Sequence, residues 1–233
     1  MIGVTEIGSI REENQDAILV SGLLGCSASA CIPLQPVGDY PSLAAVTDGM
    51  GGFLGGRQAA GELSLKLASI DHLLDDKEWL EWCNEVNKEM LAIGKAIGFP
   101  QMGAAFAALH FAEEGVYAIN VGDCRSYRLV SGYFAQMSCD DSTTVNGSKV
   151  LIQAIGGTPS SLVVHYRYFP YMAETERFLI CSDGLYNVLT EERLKENISA
   201  DVALRIIAEG IVEETYSNLP QDNFSFVLGE VKL

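Results

Sequence analysis

The chain has 233 residues, 48% of them hydrophobic, enough for one domain with a substantial core. Its formal net charge of −16, from 15 Lys and Arg against 31 Asp and Glu, argues against a nucleic-acid partner or an anionic membrane surface, since both select for clustered basic side chains. No apolar run approaches the ~20 residues of a membrane helix, and the first residues lack the basic start and apolar stretch of a signal peptide, so a cytoplasmic location is expected.

In chain order, short runs rich in β-branched and aromatic residues predict strands at 17–24, 43–46, 105–111, 116–121, 126–130, 133–137, 162–169, 176–181 and 224–231. Helical spacing appears at 57–74, 77–97, 191–196 and 200–218; Leu80, Val86, Met90 and Ile93 mark it in the second. Strands in runs, with helices grouped between them, predict an α+β layering within a single domain spanning 1–233. Segments 25–42 and 140–149 read as loops, from their Gly, Ser, Pro and polar content. The six cysteines form no C-x-x-C pair and are expected to be free thiols. His72, His110 and His165 are isolated and carry no zinc-site spacing.

Four aspartates occupy one kind of position, at or near the end of an apolar run with small residues beside them. They are Asp48 in Val46-Thr47-Asp48-Gly49, Asp123 in Val121-Gly122-Asp123-Cys124, Asp183 in Ser182-Asp183-Gly184, and Asp222 in Gln221-Asp222-Asn223. A carboxylate at a strand end projects from a rigid base, and an adjacent glycine lets a backbone carbonyl approach an ion. Taken singly, each motif reads as a β-turn. Taken together they would repel one another, and the ordinary remedy is a hard divalent cation, with all-oxygen donors selecting magnesium or manganese over zinc. Other hydrolytic routes lack their residues. No cysteine is followed six residues later by arginine, no Gly-x-Ser-x-Gly elbow or Gly-x-x-x-x-Gly-Lys loop occurs, and Leu54 breaks the G-x-G-x-x-G register of the glycine-rich stretch.

On these motifs the chain resembles the protein phosphatase type 2C family of metal-dependent protein serine/threonine phosphatases, in a bacterial-like form. The match runs in family order through Arg11-Glu12-Glu13-Asn14-Gln15-Asp16, Asp48-Gly49-Met50-Gly51-Gly52, Gly122-Asp123-Cys124-Arg125, Ser182-Asp183-Gly184 and Asp222-Asn223. The resemblance implies a four-layer α-β-β-α sandwich, two antiparallel sheets flanked by helices, with a metal site at one end of the sheets. It implies two Mn²⁺ or Mg²⁺ ions: Asp48 bridging both, the Gly49 carbonyl completing one site, and Asp183 and Asp222 binding the other. Asp16 would hold metal-bound water from behind these ligands, and Arg11 would grip the substrate phosphate. Hydroxide formed between the cations would attack phosphorus in line, with no phosphoenzyme. The implied substrate is a phosphorylated protein, opposing a Ser/Thr kinase, and the implied state is a monomer.

Departures from the family pattern are as informative. Gln15 stands where many relatives have glutamate, Met50 where some have histidine, and Met102-Gly103-Ala104-Ala105 lacks the threonines that often follow Met-Gly. The stretch from Asp141 to Ile155 is short for the flap of bacterial relatives, which supplies an acidic partner for a third metal. Asp123 is retained as a ligand for such an ion, with Asp140 and Asp141 near it only in sequence. The alternative to catalysis is a catalytically weak or inactive pseudophosphatase acting as a regulatory binding module.

Overall fold

The computed structural model describes residues 1–33, 41–145 and 147–233. Residues 34–40 of the loop expected at 25–42, and Asn146 of the loop expected at 140–149, lie outside the described residues. In chain order the elements are β1 (Ile2–Glu6), β2 (Asp16–Val20), β3 (Leu23–Gly25), β4 (Ser29–Ile32), β5 (Ser42–Met50), α1 (Phe53–Ala68), α2 (Asp76–Ile97), β6 (Gly103–Phe111) and β7 (Gly115–Val121). They continue with β8 (Arg125–Val130), β9 (Tyr133–Gln136), β10 (Ser142–Val145), β11 (Ser148–Leu151), β12 (His165–Pro170), β13 (Thr175–Cys181), α3 (Asp183–Tyr186), α4 (Glu191–Ser199), α5 (Leu204–Ser217) and β14 (Phe224–Lys232).

Among the described residues twelve of the strands form two six-stranded sheets, ordered β4-β1-β14-β13-β8-β9 and β12-β7-β6-β5-β2-β3, and β10 pairs with β11 apart from them, with antiparallel pairing throughout. Side chains alternate between the two faces of each strand. Ile18, Val46, Ala107 and Phe111 of one sheet therefore meet Phe178, Ile180 and Val227 of the other in the central layer. The intervening residues, such as Leu19, Ala45 and Phe106, turn outward against α1 and α2. On the opposite flank, Leu179, Phe226 and Leu228 pack against α4 and α5 through Leu194, Ile207 and Ile211. Because both faces of the central strands are covered, β5 and β6 read as continuous small and apolar runs rather than as alternating ones. The expected α-β-β-α sandwich is borne out.

Helix α2 shows how locally this is encoded. Asp75 and Glu78 form a reciprocal capping box at its start, and Gly98 ends it in the left-handed conformation. Trp79, Cys83, Val86 and Met90 fall on one stripe and are buried, each large side chain contributing roughly 1.5–3 kcal/mol of apolar burial.

Some element boundaries differ from the sequence expectations. β1 and β4 arise in segments without a strand signal, and Gly3 in β1 packs closely on the facing sheet, where a Cβ would stand 2.9 Å from the Ile18 Cδ1 methyl. Helix α1 starts at Phe53, ahead of residue 57, and stops at Ala68. The polar loop around 140–149 folds into the hairpin β10–β11. The strand expected at 162–169 is shifted to His165–Pro170, with Leu162 buried in the helix-side core.

His110 on β6 is buried, and its Nδ1 has no hydrogen-bond partner among the described residues. Burial, then the nearby His72, lowers its pKa from 6.5 to about 4. The unfolded chain therefore takes up this proton first, and stability is lost as pH falls from about 6.5 towards 4. With allowance for solvent screening the loss is roughly 2 kcal/mol. Urea melts at pH 7 and pH 5 should show it in the wild type and a smaller difference in His110→Leu; equal acid losses in the two proteins would remove His110 as the cause.

Candidate active site

At one end of the sandwich, the strand ends present the aspartates singled out by the sequence. Asp16 opens β2 and stands directly opposite Asp48 of β5 in the ladder, so both side chains share the inner face. Asp183 opens α3 immediately after β13, Asp123 lies in the turn between β7 and β8, and Asp222 precedes β14. A cleft of about 710 Å³ is lined by Arg11, Asp48, Gly49, Asp123, Asp183 and Asp222, with Met50 and Lys149 also on its wall. Asp16 is the one candidate outside this lining, buried behind the cleft. Ala105, opposite Asp48 on β6, also lines the cleft.

Two glycines make the approach of these segments possible. A Cβ on Gly49 would stand 2.0 Å from the Gly56 carbonyl oxygen, and one on Gly184 would stand 1.9 Å from that of Asn223. No side chain fits at either position, so the backbones carrying Asp48, Asp183 and Asp222 pack directly on their neighbours. Asn223 then fixes the loop that holds Arg11. Its Nδ2 donates to the carbonyls of Ile7 (2.8 Å) and Glu13 (2.9 Å), and its Oδ1 accepts from the Gln15 amide (2.9 Å). Beneath the cleft, Ser182 Oγ donates to Asp16 Oδ2 (2.7 Å), the Asp16 amide donates to Asn14 Oδ1 (3.0 Å), and Asn14 Nδ2 donates to Thr5 Oγ1 (2.8 Å). This buried network holds the Asp16 side chain in one orientation.

Electrostatically the site carries more negative charge than its surroundings balance. Burial, then repulsion from Asp16 and Asp183, holds the Asp48 carboxyl well above the usual carboxylate range. Burial likewise lifts Asp16 to about 7 against its hydrogen bonds from Ser182 and Ser225, and Asp183 to about 6 with help from Asp123 and Asp222. Two side-chain cations answer part of this charge: Arg11 Nη2 donates to Asp222 (2.6 Å), and Lys149 Nζ lies 2.9 Å from Asp123. No three carboxylate, imidazole or thiol groups among the described residues stand in a ready-made metal-binding arrangement. The side chains that line the cleft nevertheless offer carboxylate oxygens, the donors a hard divalent cation takes.

No family model matches the chain. It is 26% identical over 221 residues to the serine/threonine phosphatase stp of Listeria innocua, spanning 84% of this chain and 86% of that protein. It is similar in structure to the S. agalactiae serine/threonine phosphatase, with a TM-score of 0.80 at 19% identity over 100% of this chain and 99% of that one. The serine/threonine phosphatase PstP/Ppp of Mycobacterium tuberculosis gives 0.77 at 21% identity, over 100% and 99%. The resemblance to the protein phosphatase 2C family is borne out.

On this fold, the segment read as a flap is the hairpin β10–β11, closed at its base where the Ile152 amide donates to the Asp141 carbonyl (2.7 Å). Both acidic neighbours in sequence are held by other partners. Asp140 accepts a forked pair from Arg125 (2.8–3.1 Å) and a further bond from Gln136. Asp141 is paired with His165 Nε2 (2.8 Å) and accepts from Gln153 Nε2 and the Gly122 amide (2.8 Å each). Lys149, Asn187 and Asn223 are site residues that sequence reasoning passed over. Asn223, adjacent to Asp222 in its motif, offered a signal, whereas Lys149 is a lone lysine in a polar segment.

Proposed function

We propose that the chain hydrolyses phosphoserine and phosphothreonine in proteins, using two divalent cations, Mn²⁺ or Mg²⁺, and forming no phosphoenzyme. The observation that carries this reading is the meeting of Asp48, Asp183 and Asp222 with Arg11 in one cleft, on a fold shared with bacterial serine/threonine phosphatases. Asp48, the Gly49 carbonyl, Asp183 and Asp222 would hold the ions, with Asp48 serving both. The chemistry such ions supply when bound is Lewis-acid activation of water and neutralisation of charge developing at phosphorus.

The chain's own residues do the rest. Arg11 gives one guanidinium nitrogen to Asp222 and keeps N–H groups free to donate to phosphoryl oxygens. Asp16, fixed by Ser182, supports the floor behind Asp48 and orients what binds there. Gln15 keeps a hydrogen-bonding amide at the cleft wall, and Met50 offers no proton, so no histidine general acid acts from that position. A thiol route is disfavoured: Cys124 is buried, and burial, then repulsion from Asp48, holds its thiol well above the ordinary range. The substrate on this reading is a phosphorylated protein, opposing a Ser/Thr kinase, with the enzyme acting as a cytoplasmic monomer. Among the described residues no helix is long and apolar enough to cross a membrane.

Arg11→Ala should chiefly raise KM for a phosphothreonine peptide. Loss of a charge-assisted bond, about 1.5–3 kcal/mol, corresponds to roughly a 10- to 100-fold increase. Steady-state kinetics on the variant check this, and an unchanged KM would remove Arg11 from the phosphate site. A third ion at Asp123 would have to displace the Lys149 ammonium.

A further inference from the structure

We infer that Lys149 is the resident cation of Asp123, a lysine ammonium standing where a third metal ion would otherwise bind. The inference rests on the two-cation reading above and concerns the carboxylate that reading leaves aside. Four contacts surround the ammonium. It lies 2.9 Å from Asp123 Oδ2 and 3.9 Å from Asp140 Oδ2, it donates to the Tyr186 hydroxyl, and it sits 4.7 Å from the centre of the Tyr186 ring. Tyr186 is itself immobilised, because its hydroxyl donates to the Asp123 carbonyl (2.9 Å) and the Arg125 guanidinium lies 3.9 Å over its ring. The lysine thus occupies a socket built from the Asp123 turn and α3.

The alternative occupant lacks ligands. A Mg²⁺ or Mn²⁺ ion seeks about six oxygens in near-octahedral order, and a single carboxylate holds one weakly. Asp140 is committed to Arg125 and Gln136, while Asp141 is committed to His165, Gln153 and the Gly122 amide. Freeing either would break an interaction that sets the geometry of the β7–β8 turn or the β11–β12 connection. Lys149 supplies a positive charge to this wall of the cleft without that rearrangement, and it ties β11 to the site floor. A lysine cation also stays in place when divalent cations are scarce.

The experiment is a count of Mn²⁺ bound per chain by equilibrium dialysis, with circular dichroism to verify folding. Wild type and Asp123→Asn should bind the same number. Lys149→Met, which keeps the length of the side chain and removes its charge, should bind one further, weak ion at millimolar Mn²⁺, and Lys149→Met with Asp123→Asn should lose it again. Lys149→Arg, keeping a cation, should bind no additional ion. One ion fewer in Asp123→Asn than in wild type, or no gain in Lys149→Met, would overturn the inference. Failure of the two-cation reading is seen separately, as an unchanged Mn²⁺ count in Asp48→Asn.

Discussion

Asp48→Asn is expected to lower kcat/KM on a phosphothreonine peptide by about a thousandfold, the upper end of what loss of one preorganised electrostatic group costs. The expectation is this large because Asp48 is assigned to both ions, so its loss disturbs two sites rather than one. Asparagine keeps the shape of the side chain, and the half-buried position on β5 should be undisturbed. The same variant separates function from stability. Asp48 faces Asp16 in the ladder and is repelled by Asp183, so a neutral amide there should leave the metal-free protein at least as stable as wild type. Kinetics with manganese, calorimetric titration of the metal and a thermal melt in EDTA measure the three quantities. Normal manganese affinity in the variant would refute the assignment.

Breaking the Arg128–Glu176 pair should be the most destabilising change away from the cleft. Glu176 is 1% exposed and Arg128 6%, and the guanidinium donates two bonds to the carboxylate, of 2.7 and 2.6 Å. Arg128 also donates to the Pro170 carbonyl (2.8 Å), and Glu176 accepts from the amides of Met172 (2.6 Å) and Ala173 (3.1 Å), so the pair organises the turn joining β12 to β13. Glu176→Ala strands a buried guanidinium and orphans those amides, at a cost of about 3–5 kcal/mol. Replacing both partners by apolar residues, Arg128→Met with Glu176→Leu, should recover part of that loss, because no charge is then left uncompensated. Urea denaturation, comparing midpoints at constant slope, is the measure. A Glu176→Ala loss below about 1 kcal/mol would show the pair to be solvated, as surface pairs are.

The sequence made the layers legible because their signals are local. The stripe and caps of α2, and the apolar runs of β5, β6 and β13, lie within short windows. β1 escaped notice because five residues containing a glycine carry little pattern, and its pairing with β14 joins the two ends of the chain. The start of α1 was masked by glycines, poor helix formers, in Gly51-Gly52-Phe53-Leu54-Gly55-Gly56. For the candidate site, the aspartates stood out because each sits at or near a strand end. The partners of those aspartates did not stand out. Whether Asp140 or Lys149 faces Asp123 depends on how the β10–β11 hairpin folds back, which spacing along the chain does not specify. Asn223, whose bonds reach residues more than two hundred positions away, likewise acquires its role only in three dimensions.

The most direct test of the central claim is phosphate release from a phosphothreonine peptide by the unmodified protein, with manganese, with magnesium and with EDTA. Release with either metal and none in EDTA is the expected result. Release that persists in EDTA would contradict metal-assisted hydrolysis. No release with either metal would contradict catalysis itself and favour a binding role for the same fold.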